Sequence, residues 1–117
     1  MSQSSKVHKS FGTLVSGDSA TVTANQVIST TGATTFDSSA GAITGCTLPV
    51  PREAGIVKVL LQVGSGTNNV VVNSLFRTGG STDTTAATFN AADESLILVS
   101  TGTRWQVLLN TGTVGLA

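Results

Sequence analysis

The sequence predicts an all-β fold: a single antiparallel β-sandwich, jelly-roll-like or small barrel, with an extended N-terminal arm. The apolar residues are mostly Val, Leu and Ile and arrive in short runs, while 14 Ser and 19 Thr stand where charge usually would. Turn residues punctuate these runs every 8–12 residues or about that, the spacing of sandwiches and barrels. No long stretch holds a helical period. The 117 residues suit one domain. A chain of this length buries roughly two thirds of its unfolded surface, enough to fold without a disulfide or metal staple.

Residues 1–19 form one polar unit, with Lys6 and Lys9 as the only charged side chains before Asp18. Phe11, Leu14 and Val15 are its main apolar groups, and they show no period. The expectation is an extended arm, reaching about 60 Å if fully stretched. The β-domain then spans residues 20–117. Thr21-Val22-Thr23 and Val27-Ile28-Ser29-Thr30 read as weak, Thr-rich strands, and Gly32 separates them from Thr34-Thr35-Phe36. Ala42-Ile43-Thr44 and Cys46-Thr47-Leu48 follow, broken by Gly45, and Pro49 and Pro51 stop any ladder.

The strongest strand signal is Ile56–Val63. Val57, Val59, Leu61 and Val63 share one face, and Ile56, Lys58, Leu60 and Gln62 share the other. Gly64–Asn68 supplies turn chemistry, so Asn69–Asn73 reads as the return strand of a hairpin. Residues 77–85 form a loop without an apolar anchor, and Ala87-Thr88-Phe89 a short strand. Ser95–Ser100 and Arg104–Leu109 make a terminal hairpin around Thr101-Gly102-Thr103. Trp105, Val107 and Leu109 share a face there, which sends Trp105 to the core. The run Leu96–Val99 is apolar on both faces, as in a strand covered on both sides.

Chemistry is sparse. The only histidine, His8, lies in the polar arm beside Lys9, so a Ser/His/Asp or Cys/His arrangement has no placed base. The six acids do not pair: Asp93 and Glu94 are adjacent at a strand entrance and read as a solvated turn, and the others stand singly in loops. Cys46 is the one cysteine and reads as a small buried hydrophobe. There is no Cys/His cluster for zinc and no run of spaced acids for calcium. Gly64-Ser65-Gly66-Thr67 lacks the lysine of a phosphate loop and leads into a strand. Arg104 beside Trp105 suggests sugar stacking only if Trp105 faces out. A formal net charge of zero gives no basic patch for nucleic acid. The first ten residues have no apolar core for a signal peptide, and no apolar run approaches a membrane span. The reading is a non-enzymatic chain with no catalytic residue, cofactor or metal and with neither nucleic acid nor membrane as partner.

Two groups of segments resemble modules of tailed-bacteriophage virion proteins. One is Thr47-Leu48-Pro49-Val50-Pro51, Ala54-Gly55, the strand from Ile56 and the Gly-Ser-Gly-Thr-Asn turn. The other is Thr88-Phe89-Asn90-Ala91-Ala92, then Ser95–Val99 and Thr103-Arg104-Trp105-Gln106-Val107. Together they cover residues 20–110 or so and look like the small β-domains of capsid decoration (cement) proteins, fibres and tail parts. The resemblance implies an oligomer, commonly a trimer, on the outer capsid surface of the virion at local threefold positions. It also implies synthesis in the host cytoplasm, the major capsid protein as partner, and an arm reaching across capsid subunits. No functional residue transfers with it.

From this follow the candidate contact residues. Lys6, Lys9, Phe11, Leu14 and Val15 are candidates for a capsid-docking arm, with the lysines steered to an acidic surface. Leu60 and Leu108, on the second faces of otherwise one-sided strands, are candidates for the interface of a homotrimer. The competing reading is a tail-fibre or receptor-binding β-domain that contacts host glycans, and behind it a secreted or surface adhesion domain. A polar 19-residue lead favours docking on a lattice.

Overall fold

A computed structural model describes residues 20–63 and 68–117, and these residues form nine strands and no helix. They are β1 (Ala20–Val22), β2 (Gly32–Phe36), β3 (Ile43–Thr47), β4 (Ala54–Gln62), β5 (Val70–Arg77), β6 (Thr84–Phe89), β7 (Ser95–Thr101), β8 (Trp105–Thr111) and β9 (Gly115–Leu116). One sheet holds them in the order β1-β2-β4-β7-β8-β5-β6-β9, with β3 alongside β5.

The sheet is mixed, not antiparallel as expected. β1 runs parallel to β2, β2 to β4, β3 to β5, and the end of β5 to the start of β8. The cause is the path of the chain. It visits one portion of the sheet (β1, β2, β4, β7, β8) and then the other (β3, β5, β6, β9) by turns. Between β2 and β4 it makes one pass through the other portion as β3, so β4 returns in the direction of β2. Antiparallel pairs form where the chain reverses locally, in β5–β6 and β7–β8, or after an even number of passes, in β4–β7. Phe36 of β2 and Phe89 of β6 lie near opposite ends of the strand order, yet their ring centroids are 5.7 Å apart. The sheet therefore curves until its two portions share a core.

That core holds Val22, Ile28, Phe36, Ile43, Leu48, Leu60, Val70, Phe76, Phe89, Leu96, Leu98 and Trp105, all buried. The terminal hairpin forms as expected, with Ser100 opposite Trp105 and Ile97 opposite Leu109. Trp105 is fully buried, and its indole N–H donates to Pro49 O at 3.1 Å. Cys46 is buried with its thiol directed to Ala24 O.

Three local readings change. The expected hairpin between the Ile56 and Asn69 strands does not form, because β4 has β2 on one edge and β7 on the other. Val63 N donates instead to Phe36 O, and Ser38 and Asn68 bond each other in both directions, Ser38 Oγ to Asn68 O at 2.9 Å and Asn68 Nδ2 to Ser38 O at 2.7 Å. These bonds carry the chain across to β5. Second, Val27–Thr30 makes only an isolated bridge from Val27 to Thr47. Third, the two short segments around Gly45 are one strand, β3, with a register shift between Ile43 and Cys46. Gly45 N donates to Asn25 Oδ1 at 2.9 Å, and a Cβ on Gly45 would stand 3.1 Å from Asn25 Nδ2.

Leu60 also moves. Proposed from sequence as an interface residue, it is fully buried in the core of the single chain. The inward face of β4 is the one that carries Lys58 and Gln62 as well as Leu60, and all three are buried. Leu60→Ala should therefore lower unfolding free energy by about 2–5 kcal/mol, the usual cost of a core cavity. Leu108→Ala should change it by no more than about 0.5 kcal/mol in dilute solution. Urea unfolding followed by Trp105 fluorescence measures both.

Candidate functional site

The inward turn of Lys58, Leu60 and Gln62 sends Val57, Val59 and Leu61 to the opposite face of the sheet. The register then builds rows across four strands. Ala33, Val59, Ile97 and Leu109 form one row. Val57, Val99 and Gln106 form the next, and Thr35, Leu61, Ser95 and Thr111 the third. None of these residues is charged. The valines, isoleucine and Leu61 are half-buried, and Leu109 is exposed. The polar side of β4 has gone inside and the aliphatic side has stayed outside.

Along β8 the pairing skips one residue: Ile97 faces Leu109 and Leu98 faces Val107. Leu108 is the extra residue of this β-bulge. Val107 still packs on the core, but Leu108 is 59% exposed and Leu109 52%. The expected grouping of Leu109 with Trp105 on the core side fails for this reason. Leu108 is exposed as the sequence reading required.

The side-chain donors inside β4 find acceptors on and beside β2. Lys58 Nζ donates to Thr31 O at 2.9 Å and to Thr34 Oγ1 at 2.7 Å. Gln62 Nε2 donates to Ser38 Oγ at 2.8 Å, while its Oε1 has no hydrogen-bond partner. Glu94 is buried and not part of a solvated turn: its Oε1 accepts from Asn90 N at 2.6 Å and Ala91 N at 3.1 Å. Gly112, at φ +80°, lies against it, and a Cβ there would fall 2.9 Å from Glu94 Cγ. Glu94 thus fixes the β6–β7 turn.

The charged groups outside this interior are structural. Asp83 Oδ1 lies 2.9 Å from both Arg77 Nε and Arg104 Nε. Only the Arg77 contact has hydrogen-bond alignment; the Arg104 Nε makes an ion contact without one. The trio ties the β5–β6 loop to the start of β8, and each pair, about a quarter exposed, contributes at most about 1 kcal/mol. The loop expected over 77–85 without an apolar anchor is confined to 78–83, with Arg77 ending β5 and Thr84 opening β6, and these ionic contacts hold it. No cavity and no group of three metal-binding side chains occurs among the described residues. No described helix is long and apolar enough to cross a membrane.

Of the sequence candidates, Lys6, Lys9, Phe11, Leu14 and Val15 lie outside the described residues, as does His8. Leu60 is internal, and Leu108 stands beside the aliphatic face. Sequence reasoning missed Val57, Val59, Leu61, Ile97, Val99 and Leu109 as one surface. The available signal was that β7 is aliphatic on both faces and that β4 is unbroken aliphatic on the side away from Lys58 and Gln62. Comparison with known protein families and with curated proteins found no match.

Two titrating groups are shifted. Burial pushes the Cys46 thiol up, against a smaller opposing effect of a backbone bond from Gln26, so the thiolate is disfavoured. Asp37 is held below the usual carboxylate value by the Ser39 hydroxyl, at 2.6 Å, and the Ser39 backbone N–H, at 3.0 Å. The stabilisation from Asp37 is complete above its ordinary pKa, neutral pH included, and is lost as pH falls through its lowered folded pKa. Ser39→Ala should raise the Asp37 pKa toward the ordinary value and slightly lower stability near neutrality, a loss that vanishes in strong acid. Carboxyl NMR titration reads the first and urea unfolding at neutral pH the second.

Proposed function

We propose that this chain is a structural virion protein that binds the outer surface of a tailed-phage capsid as an oligomer, as a decoration or cement protein does. Its work would be to stabilise the head lattice through surface contact, without catalysis, metal or cofactor. The observation that carries this reading is the uncharged aliphatic face of β4, β7 and β8, on a domain whose remaining surface is rich in Thr, Ser, Asn, Ala and Gly. Such a surface suits association. The apolar face supports contact between copies, and the neutral polar surface supports wet contact with a lattice. The sequence resemblance to virion β-domains points the same way.

In this reading the curved sheet is a sandwich of two layers, the 1–19 segment is the capsid-docking arm, and the oligomer is a homotrimer at local threefold positions. A closed lattice then gains stability from every bound copy, since a ligand that binds only the assembled state favours it by mass action. The glycan-binding alternative loses its most suitable side chain, because Trp105 is inside the core with its N–H engaged by Pro49.

Purified protein mixed with phage heads that lack it tests the proposal. Saturable binding at hundreds of copies per head, with heads that survive heating better, is the expected result; binding to tails alone would refute it. A chain beginning at Gly17 should keep its β circular dichroism and bind heads more weakly, and the part of binding due to Lys6 and Lys9 should fall with salt. Equal binding by the shortened chain would move the docking surface to the loops of the β-domain.

A further inference from the structure

We infer that the outer face of β4, β7 and β8 is the surface on which a second copy of this chain packs. The inference rests on the oligomer part of the reading above and places it on one outer surface, of which the sequence marked only the Leu96–Val99 run: Val57, Val59, Leu61, Ile97, Val99 and Leu109.

Charge is the first argument. The three rows hold Val, Leu, Ile, Ala, Thr, Ser and Gln and no ionisable group. A partner that set a charge against this face would desolvate it without a counter-ion. The face is complementary to a surface that is itself aliphatic and uncharged, and a second copy supplies that surface.

Shape is the second. Edge-to-edge pairing of strands is the other route to self-association, and the geometry works against it. The strands at the two ends of the sheet order, β1 and β9, have only 3 and 2 residues, and β3, the edge strand beside β5, has 5 and is capped at Thr47 by the Gln26–Ile28 segment. The bulge at Leu108 breaks the regular ladder of β8, whose other edge pairs with β5 only at Trp105 and Gln106. Face packing remains, with Leu108 and Leu109 standing proud at the margin.

Area is the third. Four strands at ~4.8 Å and three rows at ~6.8 Å span about 400 Å² per copy. That is roughly half of what each partner buries in a standard stable complex. Association through this face is therefore reversible and rises with concentration. Many copies held side by side on a lattice would strengthen it through effective concentration.

Sedimentation of the full chain across a wide concentration range tests the inference. Wild type should shift from monomer to oligomer as concentration rises. Leu109→Asp, at a site 52% exposed, should keep the β circular dichroism and weaken association by about tenfold or more. Val27→Asp, at a site 69% exposed beside β3, should associate like wild type. A wild-type monomer at every concentration overturns the inference, and so does a Leu109→Asp chain that associates unchanged. If wild type is monomeric and the chain starting at Gly17 associates, the occupant is this chain's own N-terminal segment, and the second copy is refuted. Head binding is read in parallel. Association without head binding refutes the virion proposal and leaves this inference standing, whereas head binding by isolated single copies does the reverse.

Discussion

Lys58 and Gln62 decide which side of β4 faces the core. Burying a lysine and an amide is costly unless their hydrogens find acceptors. Thr31 O and Thr34 Oγ1 accept from Lys58, and Ser38 Oγ accepts from Gln62. These acceptors sit on β2 and at its two ends, so the strand paired with β4 also provides its internal polar partners. Once the three inward positions are Lys58, Leu60 and Gln62, strand geometry leaves Val57, Val59 and Leu61 no choice but the outer face. A one-residue slip of β4 would bury those aliphatics and expose the lysine. The slip is opposed by the bonds just named and by Ser100, whose Oγ donates to Glu53 O at 2.6 Å and accepts from Ile56 N at 2.9 Å. The exposed aliphatic face is thus a consequence of the internal polar bonds and not a packing defect.

The same bonds explain why the all-β class and most strand positions were legible in the sequence while the topology was not. Strands such as Ile56–Val63 and Ser95–Ser100 announce themselves by branched residues and by turns at their ends, both local properties. The terminal hairpin is local too, since three residues join its arms. The pairing of β2 with β4 depends on residues more than twenty apart or so, and nothing in the intervening segment marks that β3 will join the far portion of the sheet. The Gly64–Asn68 turn chemistry was read as a hairpin because such turns usually close one. Here both edges of β4 are already taken, and the chain has to cross.

The candidate surface was half legible. The double-sided aliphatic character of Leu96–Val99 required a second covering layer, and the structure leaves Ile97 and Val99 half-buried on the outside. The error with Leu60 came from assuming that the side of β4 bearing Lys58 faces solvent. A lysine with a hydroxyl and a carbonyl at bonding distance does not obey that assumption, and those partners lie far off in sequence. Glu94 follows the same pattern: an acid in a turn normally meets water, but two backbone N–H groups and a Cβ-free Gly112 make room for it inside.

A neutral chain with an exposed aliphatic face has to avoid indiscriminate aggregation, and the fold handles this at its edges. Long flat edges recruit foreign strands, because each unpaired N–H and C=O is a template for another chain. The end strands β1 and β9 offer few such groups, and the bulge at Leu108 spoils the register of β8 where its neighbour β5 leaves off. Adhesion is left to side chains, on a surface of fixed shape and limited area, and not to the backbone. Side-chain packing across a face saturates when the face is covered, whereas strand addition creates a new edge each time and does not stop. A component that associates in this way forms closed, countable assemblies, which is the behaviour a protein needs if it is to sit in register on a lattice made by another chain.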